Sequence, residues 1–384
     1  MTTLATAAPP LRLGDLVVET PVVLAPMAGI TNAAYRQLCR EQGAGLYVCE
    51  MITSRGLVEG DAVTRSMLAF PEDEEVRSVQ LYGTDPTYVG EATRILCDEY
   101  GVHHVDLNFG CPVPKVTRKG GGGALPWKTD LLARILTAAV GAAAPYAVPV
   151  TMKTRKGIDE DHLTFLDAGR VAQETGAAAI ALHGRTVAQA YSGRADWDSI
   201  GELVAAVDIP VLGNGDVWEA RDALAMLEHT GAAGVVVGRG CLGRPWLFRD
   251  LADAFAGRET QTLPRLGEVV DVMRRHAELL SDLMGEEKGC TEFRKHVAWY
   301  LKGFAAGGDL RHRLALVSSL AALDELLADL DPAEEFPVRE LGTPRGRQGS
   351  PRRVVLPEGW LADRSYDLDP AADLREDVQS GSGG

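Results

Sequence analysis

Several things are scarce in this 384-residue chain, and each shortage excludes something. Basic charge is short: 39 Lys and Arg face 54 Asp and Glu, for a net charge of −15. That balance argues against a passive, charge-driven nucleic-acid binder, although local basic patches remain open. Cysteine is sparse and scattered at Cys39, Cys49, Cys97, Cys111, Cys241 and Cys290. With no CxxC pair, neither a disulfide framework nor a cysteine metal cluster is expected. No stretch approaches the ~18 apolar residues of a membrane span. The N-terminus lacks a basic segment followed by an apolar one, so no signal peptide is expected and the chain reads as cytoplasmic. No GxGxxG follows a strand and opens a helix, which argues against a nucleotide bound Rossmann-style.

What is present suits a globular enzyme, with 46% hydrophobic and 24% charged residues. Short β-branched runs recur at Val22–Pro26, Leu46–Glu50, Ser78–Tyr82, Val105–Asn108, Val148–Lys153, Ala179–His183, Val211–Asn214 and Val235–Gly238. Helical patterns lie between several of them, as at Asn32–Gln42, Thr87–Tyr100, Leu131–Ala144, Leu163–Thr175 and Ala220–Thr230. This alternation predicts a (β/α)8 TIM barrel over residues 21–255, after a lead-in of residues 1–20; a doubly wound open sheet is the runner-up. From Pro264 the strand signals stop. Phe293, Val297, Tyr300, Leu301 and Phe304 mark one helical face, and Leu316, Leu320, Leu323, Leu327 and Leu330 another. A small all-helical domain is expected over 262–330, with a partly disordered tail over 331–384.

In a barrel, function sits where the strands end. There the chain places Pro26, Met27 and Ala28, then Gln80, then Asn108 through Pro112, then Lys153 and Arg155, then His183 and Arg185. Asn214, Gly215 and Asp216 follow the seventh strand, and Gly238 and Arg239 the eighth. Glycines and an arginine on the last two loops fit a phosphate site, where backbone N–H groups approach an anion. Cys111 stands between Gly110 and Pro112, in a stretch from Leu107 to Thr129 with four basic residues and no acid. A thiol with an ordinary pKa could donate a proton; in a more electropositive pocket it could be a thiolate nucleophile. Residue chemistry alone leaves both open.

Ala25-Pro26-Met27-Ala28-Gly29, Val79-Gln80-Leu81-Tyr82-Gly83 and Asp106-Leu107-Asn108-Phe109-Gly110-Cys111-Pro112 resemble the tRNA-dihydrouridine synthases. Leu182-His183-Gly184-Arg185-Thr186, Gly213-Asn214-Gly215-Asp216 and Gly238-Arg239-Gly240 continue the resemblance in order. Arg244-Pro245-Trp246 and Arg294-Lys295-His296-Val297 are most similar to the bacterial B-type branch. The resemblance implies an FMN barrel followed by a helical tRNA-binding domain, acting as a monomer, with NADPH as electron donor. It places Pro26, Met27 and Ala28 against the flavin, and Gln80, Lys153 and His183 at its ring. Asn214, Gly215, Asp216, Gly238 and Arg239 fall at its phosphate and ribityl chain. It makes Cys111 the acid that protonates carbon 5 of a tRNA D-loop uridine after hydride reaches carbon 6. Asn108 would position the uracil, and Lys115, Arg155 and Arg185 would lie on the RNA path.

The chain departs from the family pattern at Gly120-Gly121-Gly122-Gly123, which predicts a flexible catalytic loop that closes only on RNA. Two rivals remain: a flavin barrel reducing a free pyrimidine, as dihydroorotate dehydrogenases do, and a non-catalytic RNA-binding protein on the same barrel. Arg274, Arg275, Arg294, Lys295 and Lys302 in the helical region favour a macromolecular substrate over a free pyrimidine.

Overall fold

The computed structural model describes residues 8–366 except 260 and 347. Nine strand pieces form one parallel sheet, but its two outermost pieces, Leu46–Tyr47 and Ile52–Thr53, are neighbours in sequence. The first pairs with Val22–Leu24 and the second with Ser78–Tyr82, while Val48 bridges Ser78. The sheet is thereby closed on itself, with eight strand positions: β1 (Val22–Leu24), β2 (Leu46–Tyr47 continued by Ile52–Thr53), β3 (Ser78–Tyr82), β4 (His104–Phe109), β5 (Val150–Arg155), β6 (Ala179–His183), β7 (Val211–Asn214) and β8 (Gly234–Val237). β8 pairs back to β1. An open doubly wound sheet would leave two free edges, and this one has none.

The helices begin and end where local chemistry dictates. Asn32 caps Ala33–Glu41 by accepting from Tyr35 N–H (3.1 Å), and Asp85 caps Pro86–Glu99 from Thr87 N–H (2.7 Å). Gly176 and Gly231 terminate Phe165–Thr175 and Ala220–Thr230 in the left-handed conformation, φ +84° and +71°. A side chain there would be strained, so glycine feeds each helix into the next strand. The N-terminal lead-in is more than a leader: Leu11–Leu13 pairs antiparallel with Leu16–Val18. Leu11, Leu13 and Val18 are buried with Val23, Leu46, Ala179 and Leu212, which plugs one end of the barrel and leaves the other for chemistry.

After the barrel come helices Leu266–Met284, Glu286–Tyr300, Gly308–Leu314 and Leu320–Leu327. Phe293, Val297, Tyr300, Leu301 and Phe304 are all buried, as their spacing predicts. The second face begins later than its leucines suggest. Ser319 caps the helix at Ala322 N–H (3.2 Å), so Leu316 lies before the first turn and is 59% exposed. The helical region meets the barrel through Tyr35, which stacks on His296 and donates to Cys241 O (2.6 Å). Of the predicted tail, residues 352–366 lie against the barrel's loops; residues 367–384 fall outside the described residues.

Candidate active site

A cavity of about 620 Å³ opens at the mouth of the barrel, within the size range of small-molecule sites. Pro26, Met27, Ala28, Gln80, Asn108, Cys111, Lys153, Arg155, His183, Asn214, Gly215, Asp216, Gly238 and Arg239 all line it. Lys115 and Arg185 do not. The first turn is shaped by Thr31, whose hydroxyl accepts from Met27 N–H (2.9 Å), and by Glu50, which accepts from Gly29 N–H (2.6 Å).

One wall is a chain of side-chain hydrogen bonds. Asp106 Oδ1 accepts from Thr151 Oγ1 (2.7 Å) and Oδ2 from Gln80 Nε2 (2.7 Å). Gln80 Oε1 then accepts from Asn108 Nδ2 (2.8 Å). Asn108 Oδ1 accepts from the backbone N–H groups of Gly110 (3.1 Å) and Cys111 (3.0 Å). A carboxylate only accepts, so each amide in the series has a single orientation, and the last one fixes the Cys111 backbone. Asn108 therefore holds the cysteine loop, and its amide is committed to protein partners. Behind the series, His104 bridges Ser78 Oγ (2.7 Å) and Thr151 Oγ1 (2.8 Å), and burial pushes its pKa down to about 4. The imidazole is neutral.

Cys111 is 8% exposed, and burial raises its thiol pKa against the lowering pull of Val113 N–H and Arg155. The thiol is therefore protonated at neutral pH, which favours the proton donor of the two sequence readings. Arg155 Nε donates to Gly110 O (2.8 Å) and its Nη1 to Thr186 O and Ala190 O. The four-glycine stretch is packed rather than loose. Gly123 N–H donates to Cys111 O (3.1 Å). Gly122 has φ +55°, and a Cβ there would stand 2.7 Å from Cys111 O. Only glycine can pass the cysteine so closely. The glycines of this loop serve close approach to Cys111 rather than looseness.

The other wall is crowded with cations. Burial and Arg155 lower the Lys153 ammonium to about 7, opposed by Asp106. His183 is driven well below its ordinary value by burial and by Arg155, Lys153, Arg185 and Arg239, so it is a neutral imidazole rather than a cation. Arg239 lies over Tyr191 (4.6 Å) and Trp218 (5.2 Å), and burial and Arg185 lower its pKa. A buried set of amine and guanidinium groups that depress one another is what an anionic ligand would relieve. With Lys153 making no hydrogen bond among the described residues and Arg239 at the same cavity, this donor set fits the anionic groups of a flavin.

One expected RNA contact changes place. Arg185 is 2% exposed and bonded to Asp216 (2.8 Å), Ser192 O and Gly193 O, so it braces the loop and offers RNA no surface. Asp216 is committed to Arg185 and to Ala195 N–H (2.7 Å). Lys115 is exposed, outside the cavity wall. In the helical region, Arg274 pairs with Glu278 and Asp324, Arg275 with Glu41, Lys295 with Glu292 and Lys302 with Glu340, while Arg294 donates to Val317 O. The sequence reading missed Thr151, His104, Tyr191, Trp218 and Trp299 at or behind the cavity; none of them stands in a local motif.

The dihydrouridine synthase family profile matches residues 23–334. A probable tRNA-dihydrouridine synthase of Mycobacterium tuberculosis is 55% identical over 363 residues, covering 92% of this chain and 93% of that one. The tRNA-dihydrouridine synthase B of Xanthomonas axonopodis pv. citri is 38% identical over 331 residues, covering 84% and 98%. Among solved structures, histamine dehydrogenase from Rhizobium sp. 4-9 shares the fold at a TM-score of 0.53 and 10% identity, covering 86% of this chain and 65% of that one.

Proposed function

This chain belongs to the dihydrouridine synthase family, and from that premise we propose that it is a cytoplasmic, FMN-dependent tRNA-dihydrouridine synthase that uses NADPH and reduces a D-loop uridine. The observation that carries the reading is a buried, protonated cysteine with a fixed backbone that lines one cavity together with Lys153, Arg155 and Arg239. FMN, reduced by NADPH, would supply the hydride for carbon 6 of the base. Lys153, Gln80 and His183 would meet its ring, with Pro26, Met27 and Ala28 as the backbone shelf. Arg239 and the loops of Asn214, Gly215 and Gly238 would meet its phosphate and ribityl chain.

The chain's own chemistry is binding, orientation and one proton. A uridine turned out of its stack, at a cost of a few kcal/mol, enters the mouth. Cys111 Sγ gives its proton to carbon 5, and solvent restores it. Asn108 and Arg155 keep that sulfur's backbone in place. Lys115 and Arg118, exposed on the cysteine loop, supply local positive charge on the RNA path despite the acidic whole.

The test is to incubate the purified protein with NADPH and dihydrouridine-free tRNA and to map the modified base by mass spectrometry. Dihydrouridine in the D-loop is expected, with free uracil and orotate unchanged. Reduction of a free pyrimidine and none of tRNA would replace the reading with the dihydroorotate dehydrogenase-like one.

A further inference from the structure

Residues 352–366 cross the loops at the barrel mouth more than 150 residues from them in sequence. Arg352 N–H donates to Ala188 O (2.9 Å), and Val355 O accepts from Thr117 Oγ1 (2.7 Å). Trp360 Nε1 donates to Ala124 O (3.1 Å), Lys128 Nζ to Asp363 O (2.5 Å) and Arg134 Nη2 to Tyr366 O (3.1 Å). Arg364 pairs with Asp167 (2.7 Å). Trp360 is 8% exposed in a small apolar cluster with Ala124 and Ile158, separate from the barrel core, and Lys128 lies over its ring (5.1 Å).

These contacts fall on the segment that grips the cysteine. Gly120 has φ +75°, and a Cβ there would stand 2.4 Å from the Trp360 ring. The same segment continues directly to Gly122 and Gly123, whose backbone lies against Cys111. Trp360 thus clamps one face of Gly120–Ala124, and Cys111 lies against the other.

We propose that residues 352–366 form a strap that holds the Gly120–Trp127 loop against Cys111, with Trp360 as the positioning residue. Its kinetic consequence rests on the function proposed above; its geometric consequence does not. Removing the indole lets the loop lift, exposing the thiol and loosening its placement over the base, while the cofactor wall is untouched.

The test uses the full-length flavoprotein and Trp360→Ala, with Trp360→Phe as the conservative variant. Iodoacetamide labelling at fixed pH, read peptide by peptide, should show Cys111 reacting about 10-fold faster in Trp360→Ala, with Cys39 and Cys241 unchanged. The kcat for dihydrouridine should fall about 10-fold with tRNA KM, FMN content and the rate of flavin reduction by NADPH unchanged. Trp360→Phe should recover most of both. If Cys39 and Cys241 also become reactive, the fold itself has failed. Thr117→Val, which removes only the Val355 bond, then decides: a smaller Cys111-specific increase supports the strap and none overturns it. Unchanged Cys111 labelling in a folded Trp360→Ala protein overturns it outright. A wild type that forms no dihydrouridine but shows the labelling contrast would keep the strap and defeat the function.

Discussion

The two walls of the mouth cavity solve opposite electrostatic problems. The Cys111 wall is a run of polar groups, each hydrogen-bonded to the next from Thr151 through the Asp106 carboxylate, Gln80 and Asn108 to the cysteine backbone. The Arg239 wall is a set of cations that depress one another's pKa values. A satisfied polar network fixes a geometry, and burial keeps the thiol protonated; a cluster of cations that depress one another favours an anion. The difference teaches how one cavity can pair a fixed, uncharged thiol with a group of cations suited to an anion.

Breaking the hydrogen-bonded wall at its last member should give the largest effect. Cys111→Ala is expected to lower dihydrouridine formation on the order of 10³-fold, while the protein keeps its FMN and still oxidises NADPH. Steady-state product formation set beside flavin absorbance checks this, and unimpaired product would remove Cys111 from the chemistry.

Acid should break the same wall through His104. Its pKa is about 4 when folded, against about 6.5 in an unfolded chain. Between those values only the unfolded chain binds the proton, so His104 contributes stability above pH 6.5 that is lost as pH falls toward 4. Its share is about 3 kcal/mol. His276 and His296, also lowered by burial, act with the same sign. Urea unfolding at pH 7 and pH 4.5 measures the total, and His104→Gln should flatten the slope; equal slopes would contradict the assignment.

The cation wall should respond in a different observable. Arg239→Met is expected to weaken FMN binding about 10- to 30-fold, or about 2 kcal/mol, with the Cys111 labelling rate unchanged. Equilibrium titration of the apoprotein reads the first and peptide mapping the second. If labelling changed as well, the two walls would not be separable.

Much of the barrel was legible because its signals are local. β-branched runs, helix caps and helix-ending glycines each sit within a few residues, and the strand ends delivered most of the cavity's lining. The exceptions share a cause. Arg185 has the charge of an RNA contact, but Asp216, 31 residues away, takes it up. The Gly120–Gly123 run has the composition of a hinge, yet its packing depends on Cys111, Val187 and Trp360. The basic residues of the helical region pair with carboxylates up to 234 residues distant. The N-terminal hairpin and the strap are likewise long-range contacts. Periodicity reports which face of an element is apolar; it is silent on which distant chain covers it.

The central claim is that burial keeps Cys111 a protonated acid on a backbone fixed by the hydrogen-bonded wall. It is tested most directly by titrating that thiol through the pH dependence of its alkylation rate. The account predicts an apparent pKa above the ordinary thiol value of about 8.5, because burial outweighs the pull of Arg155. A thiol already ionised at neutral pH would make Cys111 a nucleophile and contradict the account.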